Sequence, residues 1–458
     1  MATDGAIRDT VSLALRHHGA DYVEIRIEET DSTHLLFRGR ELEEVGRSQG
    51  IAGCVRAAVA GGWGFVSFQD LSNLREKVAT AVSHARMVGR ERTALAEVPP
   101  VEAVVPPRLG KDPRLIPLLE KKRLLDGYNE VLWSVPGVQS STIAYVDTWR
   151  KVVFCNSVGS YIQQERIDVT MRLTAVARNG GDVQQVGISV GSLGDFAVVE
   201  RLDGQVREIA QKAVGMLTAP SVKPGRYTVL LDPVLAGVFI HEAFGHLSEA
   251  DHVYEDPRLQ QIMVLGRRFG SPLLNVVDGA AVPGLRGSYA YDDEGVPAHK
   301  TYLIREGVLV GRLHSRETAA RMGEQPTGNA RAVSASFPPI VRMTNTYIEA
   351  GPHRLQDLLA DIQDGIYCKN WYGGMTSMEQ FTFSAGEAYR IRNGRIEGLL
   401  RPVMLTGNLF STLQNIDGIA DDLEMNEGGG CGKGGQFPLP VSNGSPHIRI
   451  RDVLVVGR

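Results

Sequence analysis

Cysteine is scarce in this chain: four residues in 458, at Cys54, Cys155, Cys368 and Cys431, with no C-x-x-C pair. That excludes a cysteine-rich zinc finger and suits a reducing compartment, with three of the four read as small buried hydrophobes. Long hydrophobic runs are missing as well. Apolar stretches such as VLAGVFI, just before His241, fall far short of the ~20 residues a membrane helix needs. No lysine- and arginine-rich stripe stands out against a formal net charge of -4. Neither nucleic acid nor an anionic membrane is therefore expected as a partner. The N-terminus has an acid at position 4 and places Ile7, Val11, Ala14 and Leu15 at helical spacing. It reads as an amphipathic helix of the folded chain and not as a secretory signal. Together these absences predict a cytoplasmic protein.

What is present is a globular composition, 43% hydrophobic and 22% charged, in a chain too long for one ordinary core. Val23, Ile25 and Ile27 alternate with polar residues and predict a half-buried strand. Leu71, Leu74, Val78, Val82 and Ala85 mark a helix face. The stretch VPPVEAVVPP (98–107) can continue neither a helix nor a central strand. A second segment follows, with a helix around Leu118 to Leu125 and the alternating run Ile167, Val169, Met171, Leu173. TAPSVKPG (218–225) is the clearest boundary, and short strands with glycine turns dominate beyond it. No βαβα alternation is visible, so the expected class is α+β. The expected domains are a mixed helix and antiparallel-sheet region at 1–220, in two segments joined by the proline-rich connector, and a β-rich domain at 221–458.

The chemistry concentrates at the start of that second domain, GRYTVLLDPVLAGVFIHEAFGHLSEADHV. Asp232 followed by Pro233 is a helix start signal. The helix after it is apolar on nearly every side until His241, so it is expected to be buried. Polar groups there cost several kcal/mol unless matched, and a metal ion is one way to match them. The histidines His241 and His246 are five apart, whereas the common zinc hydrolase pattern H-E-x-x-H spaces them by four. On a regular helix the fifth residue is rotated by roughly 140°. One extra residue in the turn restores alignment, which predicts a π-bulge or kink, with Gly245 easing the distortion. A catalytic zinc usually takes three protein ligands. The best third candidate is Cys431 in NEGGGCGKGGQ, where six glycines lie within 428–435 and leave a backbone loop around the thiol. Glu242 is the candidate general base for a metal-activated water. Spacing alone leaves the case open, since two histidines five apart are more often unrelated.

The series of motifs resembles the TldD/PmbA metallopeptidases, specifically the metal-bearing TldD-like members. It runs LDPVLAGVFIHEAFGHLSEAD (231–251), YDDEGVPA (291–298), PTGNARA (326–332), RMTNTYIEAG (342–351), FTFSAGEAYRIRNG (381–394), TLQNIDGIADDL (412–423) and GGGCGKGGQFPLPVSNGSP (428–446). The resemblance implies zinc (Zn2+) held by His241, His246 and Cys431, with Glu242 as catalytic base. It implies hydrolysis of peptide bonds in unfolded proteins or leader peptides, with the substrate held through its backbone by strand addition. It also implies a dimer, either of this chain or with a PmbA/TldE-like partner that lacks the motif. The rival expectation is a non-catalytic peptide-binding or scaffold subunit of a heterodimeric protease. The intact H-E-x-x-x-H and cysteine loop argue against it.

Other residues carry weaker expectations. Asp292, Asp293 and Glu294 read either as partners of the ligand histidines or, preferentially, as a solvated turn. Arg342, Thr344 and Asn345 read as substrate-backbone contacts or as sheet residues. Glu249 and His252 are alternative ligands if Cys431 is distant. Trp63, flanked by glycines, reads as a packed hairpin residue.

Overall fold

The computed structural model describes residues 4–377 and 379–457. Its first strands, β1 (Tyr22–Arg38), β2 (Glu41–Val59) and β3 (Gly62–Phe68), form an antiparallel meander. Val23, Ile25 and Ile27 of β1 point to one side and meet Ile7 and Val11 of α1 (Asp4–Ala14) and Val78 and Val82 of α2 (Leu74–Val88). The proline-rich connector contributes a short strand, β4 (Glu102–Val105). It lies parallel to the start of β6 at the sheet margin, where flanking prolines remove no ladder hydrogen bond.

After α3 (Leu118–Trp133) come β5 (Val138–Asn156), β6 (Tyr161–Asn179) and β7 (Asp182–Leu193), then α4 (Asp203–Met216). β5 pairs antiparallel with β1 from Glu24↔Asn156 to Arg38↔Thr142. The two N-terminal segments therefore share one seven-stranded sheet, ordered β3-β2-β1-β5-β6-β4 with β7 also on β6. A second core, with Tyr145, Leu173, Val206 and Ile209, fills the space between this end of the sheet and α3 and α4.

The half-buried reading of β1 needs correction, because both faces are covered. Glu24, Arg26 and Glu28 alternate with the apolar residues yet are only 4%, 2% and 3% exposed. The C-terminal half lies over them. Arg26 donates to the carbonyls of Ser334 and Phe337 and faces Asp293 at 3.4 Å. Arg56 of β2 sits between Glu24 (3.0 Å) and Glu294 (3.2 Å).

In the C-terminal half, β8 (Gly225–Leu231) pairs on one side with the strand Asp364–Ser377 and on the other with Ile448–Gly457. From there the pairing passes through Val403–Asn408 and Gln380–Arg392 and returns to Asp364–Ser377, so the ladder closes on itself. A mixed six-stranded sheet is built around Val276–Gly279 and Asn345–Ile348, the latter parallel to Ser442–Ser445. α5 (Pro233–Ile240) lies between these sheets. Phe239 meets Phe381 and Phe383 edge-on at 5.5 and 5.8 Å. On the other side a Cβ at Gly237 would stand 2.9 Å from the backbone nitrogen of Gly444. The class is α+β with a β-rich C-terminal half. Among the described residues no helix is long and apolar enough to cross a membrane.

Candidate metal centre

Asp232 caps α5 by accepting from the amide of Leu235 at 2.9 Å, and Pro233 occupies the first turn. The helix that follows is buried and ends at Ile240. The next five residues, His241–Gly245, form one π-helical turn, in which the amide of His246 donates to the carbonyl of His241. A 3-10 turn, His246–Ser248, completes the segment. The extra residue between the histidines is thus absorbed as the spacing requires, and the two imidazoles meet edge to face with centroids 5.4 Å apart. Gly245 has a different reason than the one expected. Its backbone is ordinary right-handed helix, φ -57 and ψ -51. A Cβ there would stand 2.1 Å from the sulfur of Met343, so the glycine admits a neighbour and does not relax the turn.

Cys431 arrives from 185 residues further along the chain, on a small hairpin of Gly430–Lys433 and Gln436–Pro440. Its Sγ lies 3.5 Å from Nε2 of His246. One ligand atom each from His241, His246 and Cys431 falls within 4.8 Å of the others. His241 and Cys431 are 3% and 2% exposed. Burial alone would raise the thiol, but the two imidazoles hold it down to about 5, so it is a thiolate at neutral pH. The donor chemistry, two imidazole nitrogens and one thiolate, fits a borderline-soft cation with bonds of ~2.0–2.3 Å. In addition, Nδ1 of His241 is buried with no hydrogen-bond partner. Glu242 is half-buried, with Oε2 3.9 Å from Nε2 of His246, on the side of the ring that faces the thiol.

Glu249 is fully buried and lies outside the group of His241, His246 and Cys431. Its Oε2 lies 2.9 Å from Nδ1 of His246 and 3.2 Å from Nζ of Lys433. Burial pushes this carboxyl up, but His246 and Lys433 outweigh it and hold the group at about 2. Lys433, two residues beyond Cys431, also reaches Asp251 at 2.6 Å and the carbonyl of Val341 at 2.9 Å. One charge network therefore ties the cysteine hairpin to the segment that carries the histidines. His252 is further out, 3.9 Å from the same Glu249 oxygen.

Arg342, Thr344 and Asn345 are all fully buried and hydrogen-bonded within the protein. Arg342 donates to the carbonyls of Cys431 (2.8 Å) and Gln436 (3.3 Å) and so clamps both strands of the cysteine hairpin. Thr344 donates to Asp278, and Asn345 to the carbonyl of Gly279. Asp292, Asp293 and Glu294 form neither a solvated turn nor a support for the histidines. Asp293 and Glu294 face Arg26 and Arg56 of the N-terminal sheet. Asp292 accepts from the amides of Glu294, Val296 and Ala330, and Glu294 also accepts from the amide of Arg316, all within the C-terminal half. Trp63 packs in its hairpin under Arg56 and donates to Glu317.

The chain matches three models of one family: PmbA/TldA metallopeptidase domain 1 over residues 23–85, its central domain over 111–217, and its C-terminal domain over 224–457. A metalloprotease of Synechocystis sp. is 48% identical over 440 residues, which cover 96% of this chain and 95% of that protein. A zinc metalloprotease TldD homolog of Saccharolobus solfataricus is 30% identical over 446 residues, 96% of this chain and 97% of its own length. Among solved structures, TldE from Thermococcus kodakarensis superposes with a TM-score of 0.76 at 18% identity, covering 98% of this chain and all of that one. At that identity the likeness is one of fold.

Proposed function

The chain belongs to the TldD/PmbA metallopeptidase family, and from that premise we propose that it is a zinc-dependent peptidase with His241, His246 and Cys431 as ligands and Glu242 as general base. The observation that carries this reading is the orientation of His246. Its Nδ1 is held by the Glu249 carboxylate at 2.9 Å, and its Nε2 faces the Cys431 thiolate at 3.5 Å. A carboxylate behind one ring nitrogen fixes the tautomer and frees the other nitrogen for a metal. Zinc, when bound, supplies Lewis acidity that polarises a scissile carbonyl and makes water easier to deprotonate. Glu242 takes the proton of the attacking water on its carboxylate and returns it to the leaving amine. Arg342 and Lys433 hold the cysteine hairpin against the histidines throughout.

We place the substrate class at unfolded or leader peptides, bound through their backbone. The partner is a second copy or a TldE-like chain lacking the motif. The division into 1–220 and 221–458 is part of the same proposal, supported by the first sheet ending before residue 194 and the next beginning at Gly225. The test combines metal analysis of the purified protein with mapping of products from an unstructured peptide, with and without chelator and with and without a TldE-like chain. One zinc per chain and chelator-sensitive cleavage are expected. Cleavage that persists in the metal-stripped protein would refute the mechanism.

A further inference from the structure

The N-terminal sheet and the C-terminal half do not close completely on one another. β1, β5 and β6 on one side, and residues near 286–293, 331–334 and 438–440 on the other, enclose a cavity of about 340 Å³. That is the scale of small-molecule pockets. Three of the carboxylates in its wall are already matched. Glu28 pairs with Arg26 at 3.1 Å and with Arg150. Asp168 takes two nitrogens of Arg286 at 2.6 and 2.9 Å. Asp293 faces Arg26 and accepts from the amide of Ala332 at 2.8 Å. A fourth, Asp292, accepts from the amides of Glu294, Val296 and Ala330. Burial, reinforced by Glu294, pushes its carboxyl well above the usual range, which favours the neutral acid.

Two guanidinium groups are left over. Arg166 and Arg331 both lie against the ring of Tyr289, 5.7 and 5.3 Å from its centroid. Among the described residues neither has a carboxylate within ion-pair distance. Arg166 donates to the carbonyl of Arg286, and Arg331 to those of Met343 and Pro440. Carbonyls satisfy the hydrogen bonds but do not neutralise the charge. Burial, with Arg331 nearby, outweighs the opposing effect of Asp168 and pulls Arg166 down to about 10. Arg331 is buried and Arg166 half-buried. Cations so placed without a directly paired carboxylate are unfavourable, and a ligand that brings an anion is bound for that reason.

We propose that this cavity binds a small oxyanion, a carboxylate or a phosphate, between Arg166 and Arg331, with Tyr289 as a flat wall beside it. Val152, Val333 and Leu439 in the lining leave room for an apolar portion of the ligand. Leu439 is the cross-strand partner of Cys431, so the occupant lies behind the cysteine hairpin. The site does not depend on the peptidase reading.

Calorimetric titration of the metal-loaded, full-length protein tests this, using a dipeptide, the same dipeptide amidated at its C-terminus, and inorganic phosphate. Saturable binding of the dipeptide that is lost in the amide assigns a carboxylate ligand. Saturable binding of phosphate alone assigns a phosphate. In either case Arg166→Gln weakens binding by about tenfold or more, the loss of one charged hydrogen-bond donor. If that variant fails to fold, Arg331→Lys takes its place and must weaken the same ligand. The proposal is overturned if neither anion binds wild type saturably, if dipeptide and amide bind alike with no phosphate binding, or if the folded variant binds as wild type does.

Discussion

The inner face of the N-terminal sheet and the metal centre are both buried and both rich in charge, but the charges are balanced differently. On the sheet, charged groups such as Glu24, Arg26, Glu28 and Arg56 meet their opposites within the sheet or across the interface, as Arg56 does between Glu24 and Glu294. At the centre, a thiolate and two imidazoles converge. Matched charge of the first kind holds two halves of a molecule in register. Converging lone pairs of the second kind make a receptor for a cation. The difference is one of donor set, not of burial or charge density.

The comparison breaks most visibly through the centre's own residues. Glu242→Gln is expected to keep its metal and lose ~10²–10⁴-fold in peptide cleavage, the usual contribution of a general base. Cys431→Ser is expected to lose both, with metal affinity falling by more than the ~100-fold seen when only an outer partner is removed. Chelator competition and single-turnover cleavage read the two effects separately. A Cys431→Ser protein that binds zinc as wild type does would remove the thiolate from the ligand set.

An equally buried change on the sheet should move stability and leave metal alone. Glu294→Ala strands Arg56 between one carboxylate and a gap, in a pair 3% and 8% exposed. Removing one partner of such a pair costs ~3–5 kcal/mol. Denaturant unfolding measures it, and metal bound per folded chain should be unchanged. Stability equal to wild type would mean that shape, not charge matching, holds the halves together.

The two regions also differ in how far the sequence discloses them. His241, His246 and Cys431 stand out because each is the wrong residue for its surroundings: histidines closing an apolar helix, a thiol among glycines. Their five-residue spacing even anticipates the π turn at His241–Gly245. The interface has no such signature. Asp292, Asp293 and Glu294 beside Gly295 and Pro297 have the composition of a solvated turn, and the partner of Glu294 is 238 residues away on β2. β1 likewise looks half-exposed, because Glu24, Arg26 and Glu28 report what kind of residue is present and not that a second domain covers it. Glu249 is visible as an acid near the motif. Its role follows from the direction a side chain takes after a π turn and a 3-10 turn, which spacing rules for regular helices do not supply.

Glu249 links the two kinds of region, since it is matched by Lys433 yet holds the ring of the candidate ligand His246. Glu249→Gln keeps an acceptor for His246 and removes the charge. Zinc affinity is expected to fall ~10–100-fold with the stoichiometry of one retained at saturation. Unchanged affinity would make Glu249 a tie for Lys433 only, and would place it with the matched charges of the sheet.

Asp232 is the finest test, because it is a buried carboxylate that caps the helix leading to the candidate ligands, with backbone amides, from Leu235 and Asn370, as its hydrogen-bond donors. Burial outweighs those amides and pushes the carboxyl up to about 6 from the ordinary 3.8. The folded chain thus holds this proton more tightly than the unfolded one. The resulting stabilisation is complete below about pH 4 and is lost as pH rises toward about 6. An asparagine in its place would cap the helix as well as the aspartate does and cannot titrate. The stability of wild type relative to Asp232→Asn should therefore fall by about 1–3 kcal/mol between pH 4 and pH 7. Groups common to both proteins cancel in that difference, which denaturant unfolding at each pH reads directly. A flat difference would mean that the amides balance the carboxylate as fully as arginines balance the sheet.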